Sequence, residues 1–193
     1  MMQTKPMLYS TTHVTPVGTL TLLASDRGLR AVLWPKRSPR RAGISPRPRG
    51  DQNHPILRKA VLQLDEYFAG SRTSFDLPLD LEGTRFQVAA WRSLADIPFG
   101  TTTTYGRQAA ALGIPTAARA VGAANGANPV CIVLPCHRVI GANGSLTGFG
   151  GGLPVKQWLL DHEAHVLTTL TIVSNSPWPT RQPVQTRLSM PVA

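Results

Sequence analysis

Acidic side chains are scarce in this chain: 10 Asp and Glu stand against 20 Lys and Arg, a formal net charge of +10. So basic a balance suggests an acidic partner, with nucleic acid the first candidate. The charge alone fits a merely soluble basic protein as well. Most of the cations are arginine, which suits phosphate forks and base stacking better than lysine does. Cysteine is scarcer still, with two in 193 residues. That excludes a disulfide scaffold and suits a reducing compartment. No apolar run reaches the about 18 residues of a membrane span, and the opening MMQTKPMLYS lacks the apolar segment of a signal peptide. The expectation is a cytoplasmic protein, nucleoid-associated in a bacterium, with no membrane partner.

Read in order, 8–14, 20–24 and 29–34 have the composition of strands, separated by turn signals at Pro16-Val17-Gly18 and at 25–28. Lys36 to Asn53 is rich in Arg, Pro and Gly with Asp51 its only acid, which reads as a mobile basic loop. His54 to Ala69 carries one apolar stripe at helical spacing and stops at Gly70. Phe75 to Leu81 reads as an edge strand, since Pro78 offers no ladder donor. Thr84 caps a helix running to Asp96. A short helix at 105–112, a turn at Gly113-Ile114-Pro115 and a second helix opening at Pro115 or Thr116 and ending near Asn125 make a helix-turn-helix layout. That second helix is almost all small: Ala117, Ala118, Ala120, Gly122, Ala123, Ala124. From the residues alone it suits tight core packing or close approach to another surface. A further amphipathic helix spans 153–162. The Pro-rich remainder reads as a loose tail, with a weak strand at 166–173. The fold class is α+β: a small N-terminal antiparallel sheet with a helix, then a mostly helical part with the helix-turn-helix. The expected boundaries are 1–82, 83–165 and a tail 166–193, with the basic loop at 36–53 inside the first.

The stretch of most chemical interest is VCIVLPCHRVIGANGSLTGFGGG, residues 130–152. An apolar run suited to a buried strand or tight core segment ends at Pro135; Cys136 and His137 follow, then a glycine-rich loop. A thiol next to an imidazole at a backbone break is a nucleophile candidate. Taken alone, such a pair is more often a buried cysteine in a core turn.

PCHRVIG resembles the active-site signature of the O6-alkylguanine-DNA alkyltransferases. RAVGAANGANP at 119–129, TTTTYG at 101–106 and GGLPVKQWLLDHE at 151–163 fit the same family in order and spacing; 8–81 resembles it more weakly, and nothing past His165 matches. The resemblance implies single-turnover repair. It names a methylated-DNA–[protein]-cysteine S-methyltransferase that moves the alkyl group of O6-alkylguanine in double-stranded DNA, with O4-alkylthymine a second candidate, onto Cys136. It implies a relay of Cys136, a water, His137 and Glu163, with Tyr105 serving the guanine ring nitrogen. The base is implied to be flipped out through the minor groove, with Arg119 filling the gap. Thr116, Ala117, Ala118 and Ala120 then face DNA, and Asn128, grouped with them, ties the recognition helix to the active-site segment. Val139, Phe149, Gly150 and Gly151 would form the base pocket. The Cys136 and Val139 carbonyls would accept from the guanine amino group and the Gly150 amide would donate to its oxygen. No cofactor and no metal are implied; some relatives hold a structural zinc in the N-terminal part, which here has no cysteine. The expected state is a monomer, with cooperation on DNA left open.

Two positions depart from the commoner pattern. Gly150 replaces a serine of some relatives, which suggests room for alkyl groups larger than methyl. Cys131 stands where relatives often have proline and reads as a packed apolar residue. A DNA-binding regulator, a non-catalytic lesion binder and a cysteine hydrolase are the competing classes. The first has no use for Cys136 with His137 and Glu163, the second lacks the cysteine, and the third needs an oxyanion hole.

Overall fold

The computed structural model describes residues 6–35 and 48–174. Strands β1 (Tyr9–Thr15) and β2 (Gly18–Ser25) form an antiparallel hairpin, and β3 (Gly28–Leu33) pairs antiparallel with β2. Gly18, at φ 109, makes the turn that an L side chain rarely allows. A short strand β4 (Arg49–Gly50) adds parallel to β1, giving the order β3-β2-β1-β4. The expected basic loop therefore ends in an edge strand; its stretch 36–47 lies outside the described residues. Helix α1 (Pro55–Phe68) buries Leu57, Ala60, Leu64 and Tyr67, the stripe its spacing predicts, and packs on the sheet.

The expected edge strand at 75–81 is reduced to one bridge, Leu29 to Leu79, flanked by Leu29 N donating to Pro78 O at 2.7 Å and Asp80 N to Leu29 O at 3.0 Å. Its approach is so close that a Cβ on Gly28 would lie 2.6 Å from the Pro78 oxygen.

Helix α2 (Arg85–Arg92) opens on a capping box between Thr84 and Gln87 and tightens into a 3-10 turn at Ser93–Asp96. Strand β5 (Thr103–Thr104) leads into α3 (Tyr105–Ala111), and α4 is Ala118–Gly126. The second helix thus starts later than Pro115 or Thr116. Ala117 N donates to Ile114 O at 2.9 Å in a tight turn, so the helical ladder begins only with Val121 N on Ala117 O. Trp91 Nε1 donates to Ala124 O at 2.7 Å, and Asn125 Nδ2 to Gln108 Oε1 at 2.7 Å. These buried bonds, with Gln108 Nε2 on Ala90 O at 2.9 Å, lock α2, α3 and α4 together.

Helix α5 runs Leu153–Ser174, well past residue 162. This corrects the expected strand at 166–173 and the start of the expected tail. Within α5 the hydroxyls of Thr168, Thr169 and Thr171 bond back to the carbonyls of Ala164, His165 and Leu167 at 2.9–3.0 Å, which satisfies them inside the helix without favouring it. Val166 is buried, meeting the position a Cβ on Gly70 would take. The rest of the expected tail lies outside the described residues. No helix among the described residues is long and apolar enough to cross a membrane.

Candidate active site

The 130–134 run is buried throughout but is a tight turn, not a strand. Leu134 N donates to Val130 O at 2.9 Å, and Ile132 takes φ 74. A β-branched residue enters that left-handed region only where its surroundings hold it. Asn128 supplies the hold: Nδ2 donates to Leu134 O at 2.8 Å and Oδ1 accepts from Val130 N at 3.1 Å. Asn128 is itself 2% exposed, so it ties the end of α4 to this turn and does not reach a surface. Val32 bridges Val130, with its N–H on Pro129 O at 2.8 Å, so β3 braces the segment from the N-terminal side.

Pro135 then frees the chain for a 3-10 turn, Cys136–Arg138, followed by β6 (Val139–Ile140) parallel to β5. Cys136 is 6% exposed, His137 and Glu163 fully buried. His137 Nε2 donates to Glu163 Oε1 at 2.7 Å. A carboxylate only accepts, so this bond places the imidazole proton on Nε2 and leaves Nδ1, which has no protein partner, as the basic atom. Glu163 also accepts from Arg138 Nε at 2.9 Å and Nη2 at 3.0 Å, from the Tyr67 hydroxyl at 2.8 Å and from Gly100 N at 2.9 Å. Arg138 Nη1 donates in turn to Ile97 O at 2.6 Å.

Burial alone would raise the Glu163 carboxyl, but the hydrogen bonds and charges of His137 and Arg138 outweigh it and hold the pKa at about 2. Burial lowers the pKa of His137 below the usual imidazole range, against the opposing pull of Glu163. The imidazole is therefore neutral and able to take a proton. The Cys136 thiol is pushed well up by its contact with Cys131 and by burial, against the pull of Asn128 and Lys156. At rest it is a thiol, and its reaction requires the proton to leave as the sulfur attacks.

Tyr67, Gly100, Arg138 and Lys156 carry no role in the motif. Lys156 is fully buried, and its Nζ donates to Val139 O at 2.6 Å and Thr147 O at 2.9 Å. Burial lowers its pKa, against the opposing pull of Cys136. The signal was available: Lys156, Leu159, Glu163 and Val166 share one buried face of α5, so two charges sit where an apolar stripe belongs. Tyr67 gave no such signal, because a tyrosine in an apolar stripe reads as core.

Tyr105 is half-buried; its hydroxyl donates to Thr147 O at 3.3 Å. It lines a groove of about 530 Å³ with Ala118, Arg119, Gly122, Thr147 and Gly148. Arg119 and Ala120 are exposed on the outer face of α4, Ala117 and Ala118 half-buried and Thr116 exposed just before it. Val139 is buried behind the turn. Phe149 meets Trp34 edge to face at 5.3 Å and His137 at 6.5 Å. Gly150 is exposed, and Gly151 lies so close to Trp34 that a Cβ there would come within 2.9 Å of the indole. The structure thus brings together Cys136, His137, Glu163 and Val139 in one buried cluster with half-buried Phe149 packed against it, and Tyr105 and Arg119 on the adjoining groove. Among the described residues no three or more His, Cys, Asp or Glu cluster as a metal site.

Comparison with known proteins follows this division. Residues 85–165 match the family described as 6-O-methylguanine DNA methyltransferase, DNA binding domain, and residues 7–81 its ribonuclease-like domain. A methylated-DNA–protein-cysteine methyltransferase of Mycolicibacterium paratuberculosis is 49% identical over 160 residues, covering 81% of this chain and 93% of its own. One from Methanosarcina acetivorans is 44% identical over 156 residues, covering 81% and 98%. The crystal structure of Mycobacterium tuberculosis OGT in complex with DNA aligns with a TM-score of 0.71 at 45% identity, covering 82% of this chain and 94% of that one.

Proposed function

Since this chain belongs to the 6-O-methylguanine DNA methyltransferase family, whose members repair DNA by methyl transfer to a cysteine, we propose that Cys136 is its acceptor. DNA is the partner, as it is for the tuberculosis relative. The observation that carries the assignment is the buried His137–Glu163 pair at 2.7 Å, one residue from a buried thiol and with Nδ1 left basic.

In this reading a water carries the Cys136 proton to His137 Nδ1 while Glu163 stabilises the imidazolium that forms. The sulfur attacks the alkyl carbon attached to O6. The carbon–sulfur bond forms, the carbon–oxygen bond breaks, and the electron pair stays on guanine. Tyr105, on the groove wall, supplies hydrogen bonding to the leaving purine. The Val139 carbonyl already accepts from Lys156 but keeps a second lone pair for the guanine amino group. The thioether is stable, so each molecule acts once.

A base inside a duplex cannot reach a buried sulfur, so the reading includes flipping. The outer face of α4, with Arg119 and only small neighbours, supports approach through the minor groove, with Arg119 held in the vacated stack. O4-alkylthymine carries the same kind of exocyclic oxygen and is included as a second substrate. The part at 1–82 supports the site through Tyr67, Val32 and Trp34 and does no bond making.

The test is incubation with a duplex carrying one O6-methylguanine, then intact-mass and peptide mapping. The expected result is one methyl group, on Cys136, and none in Cys136→Ala. An adduct on any other residue overturns the assignment.

A further inference from the structure

The acceptor sulfur has a neighbour of its own kind. Cys136 Sγ lies 4.0 Å from Cys131 Sγ, and the two residues are 6% and 3% exposed. The turn between them is held at both ends by Asn128 and strained at Ile132, and Cys131 bridges Leu134 across it. The device that aims the nucleophile thus also holds a second thiol against it. A bond of about 2 Å would close the six-residue stretch 131–136.

We propose that Cys131 is a resolving thiol: under peroxide it closes an intramolecular disulfide with Cys136, storing the acceptor in a reversibly inactive form. The consequence for repair rests on Cys136 being the acceptor; the disulfide chemistry does not. The Cys136 sulfur, its proton leaving, attacks one peroxide oxygen. The O–O bond breaks, water departs, and Cys136 becomes a sulfenic acid. The Cys131 sulfur then attacks the Cys136 sulfur, and the S–O bond breaks with a second water carrying off the Cys131 proton. Two thiols and one peroxide give one disulfide and two waters, and a dithiol reductant reverses the step by exchange. Without a resolving thiol the sulfenic acid proceeds to sulfinic acid, which thiols do not reduce. For a protein used once, that loss is permanent.

The full chain, Cys131→Ala and Cys131→Ser are treated with graded hydrogen peroxide, trapped with an alkylating reagent under denaturing conditions, and mapped by mass. Wild type is expected to lose two hydrogens, to leave both cysteines unlabelled and cross-linked, and to recover alkyl transfer with dithiothreitol. The variants are expected to gain two oxygens on Cys136 and to stay inactive. Sulfinic acid appearing in wild type as fast as in the variants, or a disulfide formed only between two chains, overturns the proposal. Should the variants not fold, the presence or absence of the cross-linked wild-type peptide decides it. The acceptor reading fails separately, if reduced protein takes the methyl group elsewhere than Cys136.

Discussion

Glu163 concentrates the stakes at the scale of single residues, because five donors converge on its two oxygens with no water-exposed surface left. Glu163→Gln removes the charge that orients and stabilises His137 and leaves Arg138 buried without its counter-ion. Breaking a buried pair in this way costs about 3–5 kcal/mol, so denaturant unfolding should show a loss of that size along with loss of alkyl transfer. Unchanged stability would mean the network is not charged. The pH dependence follows from the same groups. His137 is held below the usual imidazole range, so the unfolded chain binds its proton first and stability falls as pH drops below about 6.5. Glu163 contributes stability that is full above its unfolded pKa of about 4.3 and lost as pH falls toward its folded value of about 2. Thermal melting from pH 7 to 3 should show a steady decline, flattened at the acid end in Glu163→Gln. The sequence brings Cys136, His137 and Glu163 forward through the family resemblance, and the structure joins the last two directly. Tyr67 and Gly100 were not legible there, since each reaches Glu163 from a distant element, and only tertiary packing supplies that contact.

In the proposed reading, two elements govern how DNA and the site meet. Helix α4 turns Val121, Ala124 and Asn125 inward and leaves Arg119, Ala120 and Ala123 outward. Ala120→Phe should change stability by no more than about 0.5 kcal/mol, as exposed substitutions do. DNA affinity should fall about tenfold or more, or about 1.4 kcal/mol, read by fluorescence anisotropy; equal affinity would remove α4 from the interface. The loop at 148–152 has Gly148 at φ 36 and Gly152 at φ 89, with an exposed Gly150 between. The absence of a side chain at Gly150 predicts that O6-benzylguanine in DNA is accepted as well as the methyl lesion; a blocked benzyl reaction would show a closed pocket. Helix α5 holds the site from behind. Gly100 sits at φ 69 with its N–H on Glu163, and a Cβ there would collide with the Leu167 side chain. Gly100→Ala should therefore cost roughly 2–4 kcal/mol, combining left-handed strain with overpacking. The length of α5 was not readable, because a Thr- and Val-rich segment has strand composition, and only contacts with Gly70 and Gly100 reward the helix.

For the whole molecule, the excess of ten positive charges predicts that DNA affinity falls steeply with salt. The slope of log K against log salt should be about −0.9 per phosphate neutralised. Alkylation adds carbon to the sulfur of a residue that is 6% exposed, with the Cys131 sulfur already 4.0 Å away. Overpacking of that kind costs about 1–3 kcal/mol. The methylated protein should melt several degrees below the unmodified one, at roughly 2–4 °C per kcal/mol. Equal melting temperatures would show that the pocket holds the added group without strain.

What the sequence determined alone was the order of the motifs along the chain, and through them the family resemblance that points to the chemistry. A thiol–imidazole pair after proline, a glycine loop and a small-residue helix are local patterns, and local patterns survive without a fold. It also placed the three long strands and α1, whose periodicities of two and 3.6 are properties of the residues themselves. The tertiary structure alone decided which distant groups share one carboxylate, that the 130–134 run turns back on itself, and that two sulfurs lie 4.0 Å apart. Each of these depends on distances between elements set by how the whole core packs, which no window of sequence contains.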